Sequence, residues 1–307
     1  MALGLSSPRY ELTFRERLAQ DGYGVADVTY PRSSGGQVAA VLLGGQNPTS
    51  AVVVCAHATG NDKFFPLLAI YRDLLASGVA VFAFDLDGHG RDSTHVLNPD
   101  AAHTMLPQAL TEVRRLMPGK PIHLMGQSFG ALLVMRQMAA PVGDPAGIRS
   151  VILISPPVTG DITSRPVWFE GRSVLNKSYL RAQRDYGGFG LLPAVGPFKR
   201  GQYPLRLPPG YKNWNVMSYA GLIDQLVARW QPEASFDPNQ VPTLLIYGSR
   251  DALTPPEQAE LLASRPCCQC GHGTLDVAEQ RMPRQAAQWL AQRTQRIGTR
   301  QGIQAKT

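Results

Sequence analysis

The pentapeptide Gly126-Gln127-Ser128-Phe129-Gly130 constrains this chain more than any other feature. It follows the short apolar run 121–125 and precedes a helical pattern over residues 131–138. A G-x-S-x-G between a strand and a helix reverses the chain so tightly that the serine backbone is strained and its hydroxyl projects from the sheet edge. The two glycines keep side chains out of the crowded turn. Ser128 is therefore the first candidate for a catalytic nucleophile.

A serine hydroxyl needs a base near neutral pH, and the base needs an orienting carboxylate. In a strand-turn-helix arrangement, the acid and then the histidine follow the serine along the chain. His272 is the only histidine after Ser128, so it is the predicted base. The predicted acid is Asp251, in a polar turn after an apolar strand-like run. Asp161 is an alternative acid, and Asp276 is a weaker one because it lies close to His272 in sequence.

Acyl attack by a serine also requires hydrogen-bond donors for the oxyanion that develops. The backbone N–H of Phe129 is the first predicted donor, because this residue directly follows the nucleophile. The second donor should come from the small, glycine-bearing turn His57-Ala58-Thr59-Gly60-Asn61-Asp62, which follows the apolar run 51–56. We predict that Thr59 supplies it, and that His57 shapes the turn by hydrogen bonds rather than transferring protons.

Five motifs in the chain resemble those of the α/β-hydrolase superfamily, and within it the branch of lysophospholipases, monoacylglycerol lipases and serine aminopeptidase-like proteins. The matching motifs are His57-Ala58-Thr59-Gly60, residues 85–93, the Ser128 pentapeptide, residues 248–255 and Gly271-His272-Gly273. They follow the order of the family and cover about residues 25 to 297, apart from a central insert. That branch usually has His-Gly where this chain has His57-Ala58, and often a glutamate at the position of Asn61. The resemblance implies a serine triad that uses no metal and no organic cofactor.

Apolar runs alternate with amphipathic patterns along most of the chain, which predicts an α/β fold with a mostly parallel central sheet and helices on both faces. The predicted strands are 27–30 and 37–43 as an antiparallel hairpin, then 51–55, 79–85, 121–125, 151–154, 243–247 and a short cysteine-bearing strand before His272. The predicted helices are 11–20, 63–77, 105–116, 131–138, 256–263 and 282–294. Ligands bind at the carboxyl ends of strands in such sheets, where all the proposed catalytic residues fall.

The alternation also suggests how the chain divides. We predict an N-terminal extension over residues 1–22, an α/β-hydrolase core over 23–156 and 237–297, and a polar, disordered tail over 298–307. Residues 157–236 break the alternation and should form a lid inserted after the sixth strand. This insert is rich in aromatic residues and proline. Either an acyl-binding pocket or the core of a small lid would explain that enrichment.

Four cysteines could suggest a metal site, but their placement argues against one. Cys55 lies in a predicted central strand, where it should act as a small hydrophobe. Cys267, Cys268 and Cys270 stand just before His272, in a spacing that fits no familiar zinc pattern. On a strand these thiols would alternate between the two faces of the sheet and could not converge on one ion.

Composition narrows the remaining classes of function. The chain has no apolar run long enough to span a bilayer, and its N-terminus lacks the basic start and apolar core of a signal peptide, so we expect a cytoplasmic location. The net charge of +7 comes with no compact basic patch interleaved with aromatic residues, which argues against nucleic-acid binding. The charge is compatible with weak attraction to anionic lipid surfaces. No pattern indicates the oligomeric state.

These features predict a serine esterase or lipase that acts on a small-molecule ester, with an apolar acyl part, through an acyl-enzyme on Ser128. Two other reactions of the same triad stay open, the hydrolysis of acyl thioesters and of small peptides. Few carboxylates in residues 157–236 are available to bind a substrate amine, which disfavours a peptidase. A ligand-binding protein of this fold with low turnover is the alternative outside enzymes.

Overall fold

The computed structural model of the chain describes residues 8–58, 62–64, 68–87, 89–91, 102–139, 147–157, 241–248 and 285–294. Its strands are β1 (Val25–Pro31), β2 (Gln37–Leu43), β3 (Ala51–Ala56), β4 (Val79–Phe84), β5 (Ile122–Gln127), β6 (Ile148–Ile154) and β7 (Thr243–Ile246). Its helices are α1 (Pro8–Gln20), α2 (Leu68–Ala76), α3 (Ala102–Leu116) and α4 (Phe129–Ala139), together with the helical residues 285–294, here α5. None of the described helices is both long and apolar enough to cross a membrane.

The seven strands within these ranges form one sheet in the order β1-β2-β4-β3-β5-β6-β7. β2 pairs antiparallel with both β1 and β4, whereas the five strands from β4 to β7 in this order pair in parallel. The predicted hairpin and mostly parallel sheet are thus confirmed. The direction of strand addition reverses between β3 and β5, and ligands of such sheets enter at the carboxyl ends of the strands beside this point.

Helices cover both faces of the sheet, because alternate residues of each buried strand point in opposite directions. On β3, Val52 and Val54 belong to one apolar cluster together with residues of α3 and α4. Val53 and Cys55 belong to the other, with residues of α1, α2 and α5. Cys55 is a buried free thiol whose pKa is raised by burial, which fits its predicted role as a small hydrophobe.

Two features differ from the pattern expected of the sequence. The helix predicted to start at residue 63 does not include Lys63 and Phe64, because these residues are engaged in contacts with the side chains of Asp85 and Asp62 instead. In α1, Phe14 and Leu18 are fully buried in the second cluster, so the stretch predicted as an extension carries a helix that packs on the core.

Several other predictions fall outside the described residues. These are the lid beyond Pro157, the helix over residues 256–263, the strand with Cys267, Cys268 and Cys270, and the tail over 298–307.

A string of buried hydrogen bonds joins β5, β6 and α5. The hydroxyl of Thr294 donates to the carbonyl of Leu290 at 3.0 Å, so its oxygen must accept from Nε2 of His123 at 3.1 Å. Nδ1 of the neutral His123 ring then accepts from the Ser150 hydroxyl at 2.7 Å. Burial lowers the pKa of His123 to about 4, with Arg149 acting in the same direction. Each group in the string therefore has one defined role.

Replacement of Thr294 by valine should destabilise the protein by about 1–3 kcal/mol, because the buried Nε2–H of His123 loses its acceptor. The change is read from the free energy of unfolding in urea. Thr111→Val is the matched control, since the Thr111 hydroxyl bonds the carbonyl four residues back in the same way but on the surface of α3. Equal effects of the two substitutions would contradict a structural role for the string.

Candidate active site

Ser128 lies in a tight turn between a strand and a helix. β5 ends at Gln127 and α4 begins at Phe129, so a single residue joins the strand to the helix. Ser128 has φ +50°, a left-handed conformation that costs an L-residue roughly 1–2 kcal/mol. Its N–H donates to the carbonyl of Ile154, at the end of the neighbouring strand β6, at 2.8 Å. The turn thus has the strained backbone that the sequence predicts.

Two glycines allow this turn to close. A Cβ on Gly126 would lie 2.3 Å from the carbonyl oxygen of Gly130. A Cβ on Gly130 would lie 2.0 Å from the carbonyl oxygen of Ala56 and 2.7 Å from that of His57. Distances below 3.0 Å are essentially never seen for real Cβ atoms. The first turn of α4 therefore packs directly on the carboxyl end of β3.

This packing brings two predicted oxyanion elements to one place. Phe129, the predicted first donor, is the first residue of α4, and the turn that should carry the second donor leaves β3 at Ala56. We call residues 57–64 the oxyanion turn, after the donor that the sequence predicts within residues 57–62. Residues 57, 58 and 62–64 of this turn are described, whereas Thr59 lies outside the described residues.

Asp85, at the carboxyl end of β4, fastens the far end of the oxyanion turn. One carboxylate oxygen accepts from the backbone N–H of Lys63 at 2.9 Å, and the other forms a 2.5 Å ion pair with the Lys63 ammonium. Both side chains are almost completely buried. Asp85 also accepts from the N–H of Arg91 at 2.9 Å, which holds its own loop. Asp85 therefore holds a structural turn after β4, and its contacts with Lys63 join that turn to the oxyanion turn.

His57, the first residue of the oxyanion turn, connects this turn to the loop that follows β4 (residues 85–91), here called the β4 loop. Its Nδ1 lies 2.7 Å from the carbonyl of Ala58 and must donate, because a carbonyl can only accept. Its Nε2 accepts from the N–H of Leu86 at 3.0 Å. Burial, with a smaller contribution from the Lys63 ammonium, lowers the pKa of His57 to about 4, although Asp85 and the hydrogen bond to Ala58 oppose this shift. His57 is thus a neutral ring that shapes the turn, in agreement with the prediction.

His89 and Asp87 complete a buried polar layer beneath the turn. The ring of His89 lies 5.2 Å from that of His57, and its Nδ1 donates to the carbonyl of Asp87 at 2.7 Å. Burial, followed by the influence of His57, lowers the pKa of His89 well below its usual range. Asp87 forms a buried ion pair with Arg32. A neutral, hydrogen-bonded His89 fits a structural residue better than a base.

Ser155 is a feature that sequence reasoning did not find. It follows β6 with φ +46°, so a second strained serine lies beside the Ser128 turn. Its N–H donates to the carbonyl of Ile246 on β7 at 2.7 Å. Its side chain is buried, and Oγ has no hydrogen-bond partner within the described part of the chain. Nothing in the run around Ser155 signals a left-handed residue.

Asp251 and His272 lie outside the described residues, as do the alternative acids Asp161 and Asp276. The strand that leads to Asp251 is β7, at the edge of the described sheet beyond β6. Ser128 and Phe129 are the predicted site residues that the structure locates.

The fold and the turn agree with the family to which this sequence is related. The chain belongs to the alpha/beta hydrolase family, whose family profile matches residues 53–289. This confirms the resemblance at the level of the superfamily. No curated protein sequence matches the chain significantly.

Solved structures with the same fold share little sequence identity with this chain. An esterase of Pyrococcus furiosus is 15% identical, with 92% of this chain and 93% of that one covered and a TM-score of 0.59. A monoacylglycerol lipase of Paleococcus ferrophilus is 18% identical, with coverages of 88% and 99% and a TM-score of 0.53. The esterase domain of a Rhodothermus marinus protein is 18% identical, with coverages of 89% and 98% and a TM-score of 0.54. These similarities show the α/β-hydrolase fold.

Replacement of Gly130 by alanine should destabilise the protein by about 2 kcal/mol or more, because the new methyl group would overlap backbone atoms of β3 that cannot move independently. Gly24→Ala is the control, since the nearest atom to its Cβ is the end of the flexible Gln46 side chain, at 3.3 Å. Urea unfolding of both variants measures the difference. A Gly130→Ala protein as stable as the control would show that the close packing on β3 is wrong.

The stability of the protein should fall as the pH drops from about 6.5 to 4, because the pKa of His57 is near 6.5 in the unfolded chain and about 4 in the fold. Above pH 6.5 the ring is neutral in both states and its contribution is fully present. Below that pH the unfolded chain binds the proton first. The glutamine in His57→Gln retains a donor and an acceptor but does not titrate. Between pH 6.5 and pH 4 the unfolding free energy of this variant should therefore fall by about 3 kcal/mol less than that of the wild type. Parallel pH profiles in urea unfolding would refute this assignment.

Proposed function

We propose that this chain is a serine hydrolase that cleaves carboxylic esters through an acyl-enzyme on Ser128. The observation that carries the proposal is the Ser128 turn. A strained serine lies at the carboxyl end of β5, and Gly130 of the same turn packs against the end of β3. Strain of this kind persists only where the surrounding structure enforces it, and it is concentrated at functional sites.

The proposed reaction begins with attack of Ser128 Oγ on the ester carbonyl carbon. His272 takes the serine proton and returns it to the leaving alkoxide, and the ester C–O bond breaks to leave the acyl group on the serine. Water, deprotonated by His272, then attacks the acyl carbon; the bond to Ser128 Oγ breaks, His272 returns the proton to that oxygen, and the carboxylic acid is released. Asp251 holds the imidazole in the tautomer that accepts the proton and stabilises its cationic form.

The backbone N–H groups of Phe129 and Thr59 are proposed to stabilise the oxyanion of each tetrahedral intermediate. A donor of this kind contributes roughly 3 kcal/mol to the transition state in comparable enzymes. The location of Phe129 supports this assignment, because the first residue of α4 starts a helix whose N-terminal end favours negative charge. The packing of Gly130 on Ala56 and His57 supports Thr59, because it brings the oxyanion turn to the same end of the sheet.

The similar structures are consistent with ester hydrolysis. Those described above are two esterases and a monoacylglycerol lipase, and another is a lipase in an open form, 16% identical with a TM-score of 0.57. We propose an ester with an apolar acyl part as the substrate.

Ser128→Ala should abolish hydrolysis of a p-nitrophenyl ester while the fold is retained, because the nucleophile is lost. A fluorophosphonate should label Ser128 of the wild-type protein, with the modified peptide identified by mass spectrometry. Ser155→Ala is the matched control, because Ser155 is a second buried serine with nearly the same φ at the end of the adjacent strand. Labelling should persist in that variant. Full activity of Ser128→Ala would refute the proposal.

The same protein can be used to test the partners of Ser128 and the alternative functions. His272→Ala and Asp251→Asn should each lower kcat by about 10⁴-fold. Values of kcat on esters, thioesters and short peptide amides of varied acyl length would identify the preferred bond. Uniformly negligible turnover with tight ligand binding would instead favour a binding protein of this fold.

A further inference from the structure

We propose that the N-terminal helix α1 is a positioning element for the oxyanion turn, acting through Phe14 and Glu11. The inference rests on the proposed function, since it concerns the turn expected to supply the Thr59 donor. α1 precedes the family match at residues 53–289, so this support is an addition to the part of the chain that the family profile covers.

Phe14 makes the first connection. Its ring is fully buried and lies 4.9 Å from the ring of Phe64, centroid to centroid. It also meets Tyr71 of α2 edge-on, at 5.9 Å and an interplanar angle of 82°. Aromatic pairs in such geometries attract each other beyond the effect of the area that they bury. Phe64 is the last residue of the oxyanion turn, so α1 packs directly on that turn.

Two cationic side chains also lie close to the ring of Phe64. The guanidinium of Arg15, on α1, and the ammonium of Lys63 each lie 5.1 Å from its centroid. Both distances are within the range of cation–π attraction. The backbone N–H of Phe64 meanwhile donates to the carboxylate of Asp62 at 2.8 Å. Side chain and backbone of Phe64 are thus both held, and Arg15 makes α1 part of the restraint.

Glu11 makes the second connection. Its carboxylate is buried and forms ion pairs with Arg15 at 2.9 Å and with the partly exposed Arg91 at 3.1 Å. The N–H of Arg91 donates to Asp85, which binds both the backbone and the ammonium of Lys63. A continuous path therefore runs from Glu11 through the β4 loop to the oxyanion turn. The two connections from α1 converge on residues 63 and 64.

A small displacement of this turn would matter for the reaction. Oxyanion donors act because they are fixed in place before charge develops, so loosening them weakens the transition state more than the bound substrate. Loss of the α1 contacts should therefore lower kcat and leave KM almost unchanged. A purely structural role for α1 would lower the melting temperature without this selective effect.

The test uses full-length Phe14→Leu and Glu11→Gln proteins, assayed on a p-nitrophenyl ester well below their melting temperatures. We expect kcat to fall about tenfold in Phe14→Leu and at least threefold in Glu11→Gln, with KM within twofold of wild type. The affinity for a trifluoromethyl ketone, which forms a tetrahedral adduct with the serine, should fall by the same factor as kcat. The double variant Glu11→Gln/Arg91→Met should lose no more activity than the more affected of the two single variants Glu11→Gln and Arg91→Met. Both substitutions break the same ion pair, so their effects should not add.

Asp21→Asn is the matched control. Asp21 follows α1 and forms a 2.5 Å ion pair with Arg72 of α2, a contact that includes no residue of the oxyanion turn, so its loss should leave kcat unchanged. Wild-type kcat in folded Phe14→Leu and Glu11→Gln would overturn the inference, as would an equal loss in Asp21→Asn. A wild-type protein that hydrolyses no ester and does not react at Ser128 would overturn the proposed function as well. An active wild type with unaffected variants would overturn only the role of α1.

Discussion

The backbone of Gly130 passes so close to the end of β3 that even a methyl group would lie 2.0 Å from the carbonyl oxygen of Ala56. This contact sets the distance between the Ser128 turn and the oxyanion turn, because each is a direct continuation of one of the two backbones that touch. β3 and β5 are also the neighbours between which the strand order changes direction, so the contact lies at the crevice that α/β sheets use for ligands. The left-handed conformation of Ser128 is a consequence, since no relaxed backbone would leave a strand and begin a helix in a single residue.

Beneath this contact, the protein buries more charge than stability alone would favour. Asp85 with Lys63 and Asp87 with Arg32 are nearly inaccessible to water, and desolvation of such pairs commonly offsets their attraction. These ion pairs instead restrict the positions of the loops that carry them, because a buried carboxylate without its partner is strongly unfavourable. Both aspartates belong to the loop after β4, and two neutral histidines fill the space between that loop and the oxyanion turn. The layer thus holds loops from three strands in one arrangement.

Much of this arrangement could be predicted from the sequence, because alternating apolar runs, a glycine-flanked serine and a glycine-rich turn each have few structural solutions. The sheet, the strained Ser128 and the structural role of His57 followed from such local patterns. The role of α1 did not, because its buried face includes Glu11 and looks polar in sequence. The prediction that a helix starts at residue 63 was wrong because the partner that holds Lys63 outside a helix, Asp85, is 22 residues away in sequence. Ser155 gave no signal, because its conformation depends on β7. Thr59, Asp251 and His272 stay predictions of the motif pattern.

The hydrogen-bond string through His123 has a consequence for how the chain is made. His123 lies in the middle of the sheet, yet its second partner, Thr294, follows 171 residues later. At roughly 5–20 residues per second, a ribosome needs about ten to thirty seconds to add that stretch. During this interval the strand carries an imidazole that α5 cannot yet cover, so the part of the sheet face that α5 covers stays open to water and to chaperones. Completion of the domain therefore needs a residue near the end of α5 as well as the last strand of the sheet.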